Sequence, residues 1–339
     1  MQQKQLQIGV IGTGDMGGRH IRNFTSEVAA AQVVAVMDID QARLQTIAQE
    51  CDVPHTFTRS SELINHPDVA AVLIATPDRF HAETAHACIQ AGKPVLCEKP
   101  LATSAAEAYK VIEAEVAHGN RLVQLGFMRE YDPAHQKVKQ VSQSGELGKT
   151  LAFRGVHINP TKGQLRTIQD VVTNSAIHDI HSARWMMADE VDTVYTSYIP
   201  GASTKPNSAR LVLIQLQFRK GGLGHIECNS ESGYGYEVDV RMTGEMGNVH
   251  TNSLESAVVS HGGNRSQQID EDWLQRFDAA YLQEGRAWVQ SILDGTPTGP
   301  TAWDGYVSML VADACVESAK SGVAVKVDVP KMPALYRRS

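Results

Sequence analysis

A glycine-rich turn near the N-terminus constrains the fold of this chain more than any other feature of its sequence. The apolar run Leu6–Ile11 passes directly into Gly12-Thr13-Gly14-Asp15-Met16-Gly17, and a stretch with helical periodicity follows. In a G-x-G-x-x-G turn between strand and helix, the first glycine permits the tight turn, the second admits a pyrophosphate and the third allows close helix–strand packing. The helix N-terminus supplies free N–H groups to the anion. The sequence therefore predicts a dinucleotide site whose phosphate loop consists of Gly12, Thr13, Gly14, Asp15, Met16 and Gly17.

An acidic residue at the end of the second predicted strand indicates which dinucleotide binds. Asp38 lies 21 residues after Gly17 and directly follows the apolar run Val33–Met37. A carboxylate in this position accepts hydrogen bonds from the adenosine ribose and would repel a 2′-phosphate. Asp40 adds a second negative charge, and no lysine or arginine follows before Arg43. We therefore expect NAD rather than NADP as the cofactor.

Hydrophobic patterning divides the chain near residue 126. Before that point, short apolar runs alternate with helical patterns, an order that predicts a parallel, doubly wound sheet covered on both faces. After it, helices at about 134–143 and 172–187 accompany longer strands with the patterning of a mostly antiparallel sheet. We expect an α/β fold with an N-terminal Rossmann domain, residues 1–126, followed by an α+β domain with a mostly antiparallel open sheet, residues 127–339. The second domain is expected to bind the substrate and to mediate oligomerisation.

The predicted elements of each half can be given as ranges. In the first half the strands are 6–11, 33–37, 70–74, 95–97 and 122–125. In the second half they are 150–158, 191–199, 209–218, 223–230, 236–243 and 255–260, and helices 272–293 and 303–320 end the chain.

Composition excludes several classes of protein. Thirty-one basic and 38 acidic residues give a net charge of −7, without the basic run that nucleic-acid binding requires. No segment approaches the roughly 18 consecutive apolar residues of a membrane span, and the first apolar run is too short for a secretion signal. The 5 cysteines contain no C-x-x-C, so neither a disulfide framework nor a structural zinc site is expected. We expect a soluble, cytoplasmic protein that binds a small molecule and has no nucleic-acid or membrane partner.

Two further segments follow strands at the carboxyl edge of the predicted sheet, where open α/β sheets bind their ligands. Thr76 and Pro77 are expected to line the cofactor. His81, one turn into the next helix, is explained equally well as a cofactor contact and as a helix-face histidine with a local partner. Glu98-Lys99-Pro100 ends another strand, and the Lys99 ammonium could stabilise a developing alkoxide there. From the residues alone, a solvated surface lysine is an equally good interpretation.

Taken together, these segments resemble the glucose–fructose oxidoreductase/inositol dehydrogenase/MocA (Gfo/Idh/MocA) family over the whole chain. Glu98-Lys99-Pro100 is the most specific part of the resemblance. That family joins a Rossmann domain to an open antiparallel sheet domain, and the lysine of its Glu-Lys-Pro segment is catalytic. The resemblance therefore implies that Lys99 is catalytic and touches both cofactor and substrate, and that His81 and Glu98 belong to the cofactor site.

Three segments of the second half are similar to the inositol dehydrogenase branch of that family. They are Gly126–Asp132, His157-Ile158-Asn159 and Asn174–Asp179. In that branch the last segment reads Asp-Thr-x-x-His, and its Asp and His form a dyad in which the His takes the hydroxyl proton. The resemblance therefore makes His178 the general base and Asn174 its partner. It also implies substrate contacts from Lys99, Met128, Arg129, His157, Asn159, Asn174, Ser175, His178 and Tyr236.

Asn174 departs from the branch, which has an aspartate at this position. Residues 174 and 178 share one face of an α-helix, so Asn174 can fix the tautomer of the His178 ring. It cannot supply the negative charge that stabilises an imidazolium. Asp179 lies about 100° further round a helix from His178 and is expected to be a poor substitute. His178 and His181 have the spacing of a metal-binding pair, but no obvious third ligand accompanies them, so no metal is expected.

The resemblance implies an NAD-dependent oxidoreductase that oxidises a secondary hydroxyl of a cyclic polyol or sugar to a ketone. The first choice is myo- or scyllo-inositol, oxidised to an inosose. One alternative is a dehydrogenase or reductase of another pyranose or keto-sugar, and Arg129 would suit a carboxylated or phosphorylated one. A different class, suggested by Asn174, is a dinucleotide-binding sensor with little turnover. The exposed face of an open sheet predicts a homo-oligomer, with a tetramer as the expected form.

Overall fold

The computed structural model describes residues 5–160, 166–201, 208–252 and 258–337. The chain divides into two compact units. The first consists of Met1–Met128, Ala279–Met309 and Pro330–Ser339, and the second of Arg129–Asp278 and Leu310–Val329. A single division at residue 126 places 279–309 in the second domain, but the structure places it in the first unit. The physical reason is that Trp288 and Val289 are buried in the hydrophobic core of that unit.

The first unit contains a six-stranded, fully parallel sheet in the order β3-β2-β1-β4-β5-β6. Its strands are β1 Leu6–Ile11, β2 Ala31–Met37, β3 His55–Phe57, β4 Ala71–Ile74, β5 Val95–Glu98 and β6 Val123–Gly126. The helices that connect them are α1 Asp15–Ser26, α2 Gln41–Glu50, α3 Ser60–Ile64, α4 His81–Gln90 and α5 Ala105–His118. Because the strand order reverses between β1 and β4, the carboxyl edge there is the place where such sheets bind nucleotides.

The second unit contains a seven-stranded sheet in the order β12-β11-β7-β10-β9-β8-β15. Its strands are β7 Thr150–Pro160, β8 Val191–Pro200, β9 Ala209–Phe218, β10 Leu223–Ser232, β11 Glu237–Gly244, β12 Asn248–His250 and β15 Val325–Lys326. The β7–β10 pair is parallel and the other pairs are antiparallel, which confirms the predicted mostly antiparallel sheet. A separate hairpin joins β13 Val258–His261 to β14 Asn264–Gln267. The strand predicted at 255–260 lies partly outside the described residues.

The remaining helices are α6 Pro133–Gln143, α7 Ile168–Asp170, α8 Ile177–Met187, α9 Trp273–Leu293 and α10 Ala302–Ser321. A π-helical segment, Val171–Ala176, separates α7 from α8. This differs from the single regular helix predicted from residue 172 to 187. None of the described helices combines the length and the apolarity needed to cross a membrane.

One face of the seven-stranded sheet carries exposed apolar side chains. Burial alternates along β9 and β10, as expected when one face packs on a core. On the opposite face Tyr195, Ile199 and Leu223 are 39%, 54% and 59% exposed, and Leu211 and Leu213 are half-buried. We refer to these five residues as the open face.

Candidate active site

The phosphate loop of the first unit can be built only with glycine at two positions. Gly12 has a φ of +94°, and a Cβ there would stand 2.4 Å from the carbonyl oxygen of Ala75. A Cβ on Gly17 would stand 1.8 Å from the carbonyl oxygen of Gly12. Since α1 begins directly after this turn, at Asp15, its free N–H groups face the loop. The local geometry is therefore suited to a pyrophosphate.

Asp38 is held in place by the same loop. Its Oδ2 accepts hydrogen bonds from the backbone N–H and the hydroxyl of Thr13, both at 2.8 Å, and its Oδ1 accepts from the N–H of Asp40 at 2.9 Å. Burial raises the pKa of Asp38, but the hydrogen bonds from Asp40 and Thr13 outweigh it and lower the pKa below its usual value. Asp38 is thus an oriented carboxylate beside the phosphate loop, as recognition of a ribose requires.

His81 links two of the predicted cofactor segments. Its Nδ1 lies 2.7 Å from the carbonyl oxygen of Pro100, and its Nε2 lies 2.8 Å from that of Thr76. The ring is buried at the start of α4. Because one ring nitrogen faces each loop, His81 ties the segment after β4 to the segment after β5. The structure thus gives this histidine local partners, and a direct cofactor contact remains a proposal.

Glu98 and Lys99 end β5 at the carboxyl edge of the parallel sheet. Glu98 is buried, and its Oε1 lies 2.8 Å from Nε2 of His20 on α1. Burial raises the pKa of Glu98, but the hydrogen bond to His20 and the charges of His20, Lys99 and His81 together lower it below its usual value, so the carboxylate is ionised. Lys99, the next residue, is half-buried. The Glu98–His20 pair therefore fixes the backbone from which Lys99 projects.

The second unit contains a buried, charged cluster of three side chains. Nη1 of Arg129 donates to Oδ1 of Asp179 at 2.6 Å, and Nδ1 of His157 lies 2.8 Å from Oδ2 of the same carboxylate. Nη2 of Arg129 lies 3.1 Å from Nδ1 of His157. Arg129 is 1% exposed and Asp179 fully buried. We call Arg129, His157 and Asp179 the buried triad; Asp179, expected to be a poor partner for His178, pairs with Arg129 and His157 instead.

Tyr236 packs against the buried triad. Its hydroxyl lies 3.4 Å from Nε2 of His157, and the two rings meet edge to face with centroids 5.8 Å apart. Burial raises the pKa of Tyr236, so the phenol stays neutral. His157 and Tyr236, two of the predicted substrate contacts, are therefore neighbours.

His178 lies near the same cluster, in the first turn of α8. Its ring centroid is 6.5 Å from that of His157, and its side chain is mostly buried. Asn174 belongs to the π-helical segment that precedes α8. The expectation that residues 174 and 178 share one α-helical face assumed a regular helix, and the wider π-helical turn removes that premise. A role for Asn174 beside His178 remains a proposal.

Ser175 lies close to Asn159, a predicted substrate contact, and to Arg166, which the sequence did not indicate. Its Oγ accepts a hydrogen bond from Nη1 of Arg166 at 2.8 Å, and Nδ2 of Asn159 lies 3.5 Å away. Arg166 was missed because a lone arginine in a polar loop carries no recognisable pattern. Met128, the remaining predicted substrate contact, is buried in the first unit.

Potential metal ligands in this region are used in other ways. Nε2 of His181 lies 2.9 Å from Oε1 of Glu130, so this histidine has a carboxylate partner. His157, Asp179 and Cys228 place one ligand-type atom each within 4.8 Å of one another. The guanidinium of Arg129 donates to Asp179 and lies 3.1 Å from Nδ1 of His157, so a positive charge already occupies the space beside two of these three groups.

Known proteins match this architecture along the whole chain. The family model GFO_IDH_MocA, described as an oxidoreductase family with an NAD-binding Rossmann fold, matches residues 6–127, and the model of its C-terminal alpha/beta domain matches 139–328. The inositol 2-dehydrogenase of Rubrobacter xylanophilus is 46% identical over 99% of this chain and 97% of that protein.

Solved structures of two inositol dehydrogenases share this fold over nearly the whole chain. The myo-inositol dehydrogenase of Lactobacillus casei in complex with NAD(H) and myo-inositol has a TM-score of 0.94 at 28% identity, covering 98% of this chain and 100% of that one. The scyllo-inositol dehydrogenase of the same organism, with bound NAD(H) and scyllo-inositol, has a TM-score of 0.90 at 25% identity, covering 96% and 99%. With family models matching both halves of its sequence, the chain belongs to the Gfo/Idh/MocA family of NAD-binding oxidoreductases.

Proposed function

We propose that this protein is an NAD-dependent inositol dehydrogenase that oxidises one secondary hydroxyl of myo- or scyllo-inositol to the inosose. The observation that carries the proposal is the 46% identity, over 99% of the chain, to an inositol 2-dehydrogenase. The polar groups of the second unit support it, since His157, Asn159 and Tyr236 are suited to a neutral ligand with many hydroxyls.

NAD fits the residues of the first unit. A Cβ on Gly14 would meet only Nη1 of Arg43, at 3.4 Å, so the loop leaves space beside this glycine for a pyrophosphate. Asp38 presents an ionised carboxylate beside that loop. We propose that Thr76, Pro77 and Glu98-Lys99 complete the site at the same edge of the sheet. Bound NAD supplies a nicotinamide ring that accepts a hydride.

We assign removal of the hydroxyl proton and stabilisation of the negative charge on its oxygen to two side chains. His178 takes the proton of the reacting hydroxyl as general base. Lys99 holds the hydroxyl oxygen and stabilises the negative charge that develops on it, through its ammonium group. Asn174 and Ser175 act beside His178 in this proposal. His157, Asn159, Arg129, Met128 and Tyr236 shape the part of the site that receives the remaining hydroxyls.

The experiment that tests this function is a substrate screen. The purified protein is incubated with NAD and, in separate reactions, with myo-inositol, scyllo-inositol and a panel of pyranoses, and NADH is followed by its absorbance. We expect the highest kcat/KM with an inositol. A pyranose that is oxidised much faster would establish the alternative dehydrogenase. Tight NADH binding without turnover of any polyol would establish a sensor.

Cofactor preference is the first quantitative prediction. We expect NAD to bind at least about tenfold more tightly than NADP, because Asp38 hydrogen-bonds a ribose and repels a 2′-phosphate. Asp38→Ala should narrow this gap, all the more because Nη1 of Arg43 lies only 3.4 Å from where a Cβ of Gly14 would stand. Fluorescence titration with both cofactors measures the effect. Asp38→Asn is the matched control, since it keeps an acceptor and removes the charge. Equal affinities in the wild type would contradict the assignment.

Restoring the carboxylate at residue 174 is the second prediction. An aspartate close to a histidine favours the protonated ring. Oxidation needs a neutral base, so Asn174→Asp should move the acid limb of the kcat/KM profile to higher pH. In the wild type that limb is expected at or below roughly 6.5, the unperturbed value for histidine. The pH–rate profiles of the wild type and Asn174→Asp on the best substrate measure this shift. Asn120→Asp, in an exposed loop of the first unit, is the control, and an unmoved limb in Asn174→Asp would remove residue 174 from the dyad.

We also propose that the protein works in the cytoplasm as a homo-oligomer, with a tetramer as the expected form. The open face supports the oligomer, because apolar side chains exposed together on one face of a sheet are often covered by another subunit. Light scattering coupled to size-exclusion chromatography measures the mass in solution. A monomer at micromolar concentration would argue against the proposal.

A further inference from the structure

We propose that Asp179 is a positioning residue that sets the polarity of the substrate site. It cancels the charge of Arg129 and holds His157 as a hydrogen-bond acceptor, so that this part of the site receives a neutral hydroxyl and not an anionic group. The inference rests on the proposed function, because it concerns how the same site selects its substrate.

The first step concerns the charge of Arg129. Its guanidinium and the Asp179 carboxylate are both buried and joined at 2.6 Å. Burial raises the pKa of Asp179, but Arg129 and His157 together lower it to about 2, so the carboxylate is ionised. Burial lowers the pKa of Arg129, but the charge and hydrogen bond of Asp179, with smaller contributions from Tyr236 and Cys228, together raise it above its usual value. The pair is therefore neutral as a whole, and Arg129 has no net charge to offer to a carboxylated or phosphorylated sugar.

The second step concerns the tautomer of His157. Nδ1 lies 2.8 Å from a carboxylate oxygen and 3.1 Å from an arginine nitrogen that can only donate. The shorter contact, to the ionised group, is the stronger hydrogen bond, so Nδ1 carries the proton and donates to Asp179. In a neutral ring Nε2 then has the lone pair. It faces the hydroxyl of Tyr236 and acts as an acceptor.

The third step concerns whether His157 stays neutral. The described contacts place Asp179, Arg129, Tyr236, His178 and Cys228 next to its ring. Burial raises the pKa of the Tyr236 phenol and of the Cys228 thiol, so both remain uncharged. The charges of Asp179 and Arg129 oppose each other at this ring. These five groups together bring no net negative charge to the ring, so the Nε2 lone pair remains available as an acceptor while Nδ1 donates to Asp179.

These contacts favour the binding of neutral substrates over anionic ones. A hydroxyl of a neutral polyol can replace the long, 3.4 Å contact from Tyr236 at the Nε2 acceptor, whereas a carboxylate or phosphate would meet a second acceptor and a neutralised arginine. Asp179→Asn should reverse both properties. An amide that donates to Nδ1 moves the ring proton to Nε2, as happens when the carboxylate of a serine-protease triad is replaced by asparagine. The same change leaves Arg129 with its full charge.

The test compares four proteins, each loaded with NAD. They are the wild type, Asp179→Asn, the charge-neutral double variant Arg129→Gln/Asp179→Asn, and Glu190→Gln. The last variant is a matched control. Glu190 pairs at 2.7 Å with Arg184, which lies on α8 as Asp179 does, so Glu190→Gln also removes a carboxylate charge from an ion pair with an arginine. Imidazole ¹⁵N NMR reports the tautomer of His157 without any need for turnover. Calorimetric titration reports the affinity for myo-inositol and for glucuronate.

We expect the Nδ1–H tautomer in the wild type and the control. Asp179→Asn should show the Nε2–H tautomer, bind myo-inositol about tenfold more weakly, as loss of one hydrogen bond implies, and bind glucuronate more tightly than the wild type. The double variant should lose inositol affinity without gaining glucuronate affinity, and it serves as the folded test if Asp179→Asn does not fold. An Nε2–H tautomer in the wild type, or unchanged affinities in both Asp179 variants, would overturn the inference. A wild type with the Nδ1–H tautomer that oxidises no inositol would instead refute the proposed function alone.

Discussion

Replacing Lys99 with alanine should lower kcat by about 10²–10⁴-fold, the usual contribution of a group that acts on the transition state. Lys99 follows β5 at the carboxyl edge of the sheet, on a backbone fixed by the buried Glu98–His20 pair. In the proposed mechanism its charge stabilises the oxygen from which the proton departs. The affinity for NAD should change little, because we propose that the phosphate loop and Asp38 make most of the cofactor contacts.

Steady-state kinetics with the best inositol, combined with a fluorescence titration of NAD, measures both effects. Lys110→Ala, an exposed lysine on α5, is the control and should behave like the wild type. A Lys99→Ala enzyme that kept most of its kcat would mean that Lys99 is only a surface residue.

The second large effect is expected at the phosphate loop. A Cβ on Gly17 would stand 1.8 Å from the carbonyl oxygen of Gly12, so Gly17→Ala must push α1 away from the loop. We expect a loss of about 3 kcal/mol in NAD binding, the upper range for overpacking, which corresponds to roughly a hundredfold in Kd.

The neighbouring glycine provides a close control. A Cβ on Gly18 would meet Nη1 of Arg22 at 3.3 Å and the carbonyl oxygen of Thr13 at 3.7 Å, and the arginine side chain can move. Gly18→Ala should therefore bind NAD almost normally. Calorimetry on the three proteins, with melting curves to detect destabilisation of the fold, gives the comparison. Similar NAD affinity in Gly17→Ala and Gly18→Ala would contradict the role given to the loop.

Strong local patterns made much of the fold predictable from sequence. The continuous apolar runs at β1 and β4 and the turn between Gly12 and Gly17 point to one architecture, and the structure has it. Strand β3 was missed because its three residues are only partly buried and show no periodicity. The return of 279–309 to the first unit depends on tertiary packing of Trp288, which no local pattern reveals.

The sequence indicates candidate site residues that belong to a motif, and it does not indicate residues whose contacts depend on tertiary packing. Glu98-Lys99-Pro100 lies at the end of a strand, as predicted, and the catalytic role that the resemblance gives to Lys99 stays a prediction. Regular helical geometry predicted that Asp179 points away from His178, and it carries no information about partners on other elements. Its partners, Arg129 and His157, lie 50 and 22 residues away in the sequence, so these contacts of the carboxylate are visible only in the folded chain.

Transfer of deuterium tests the central claim most directly. Inositol labelled with deuterium at the carbinol carbon that is oxidised is incubated with the protein and unlabelled NAD, and the reduced cofactor is analysed by mass spectrometry and NMR. If the protein moves a hydride from that carbon to the nicotinamide ring, the NADH formed carries one deuterium at C4, and the rate falls relative to unlabelled inositol when chemistry is rate-limiting. NADH without deuterium, or no NADH from any inositol, would contradict the account.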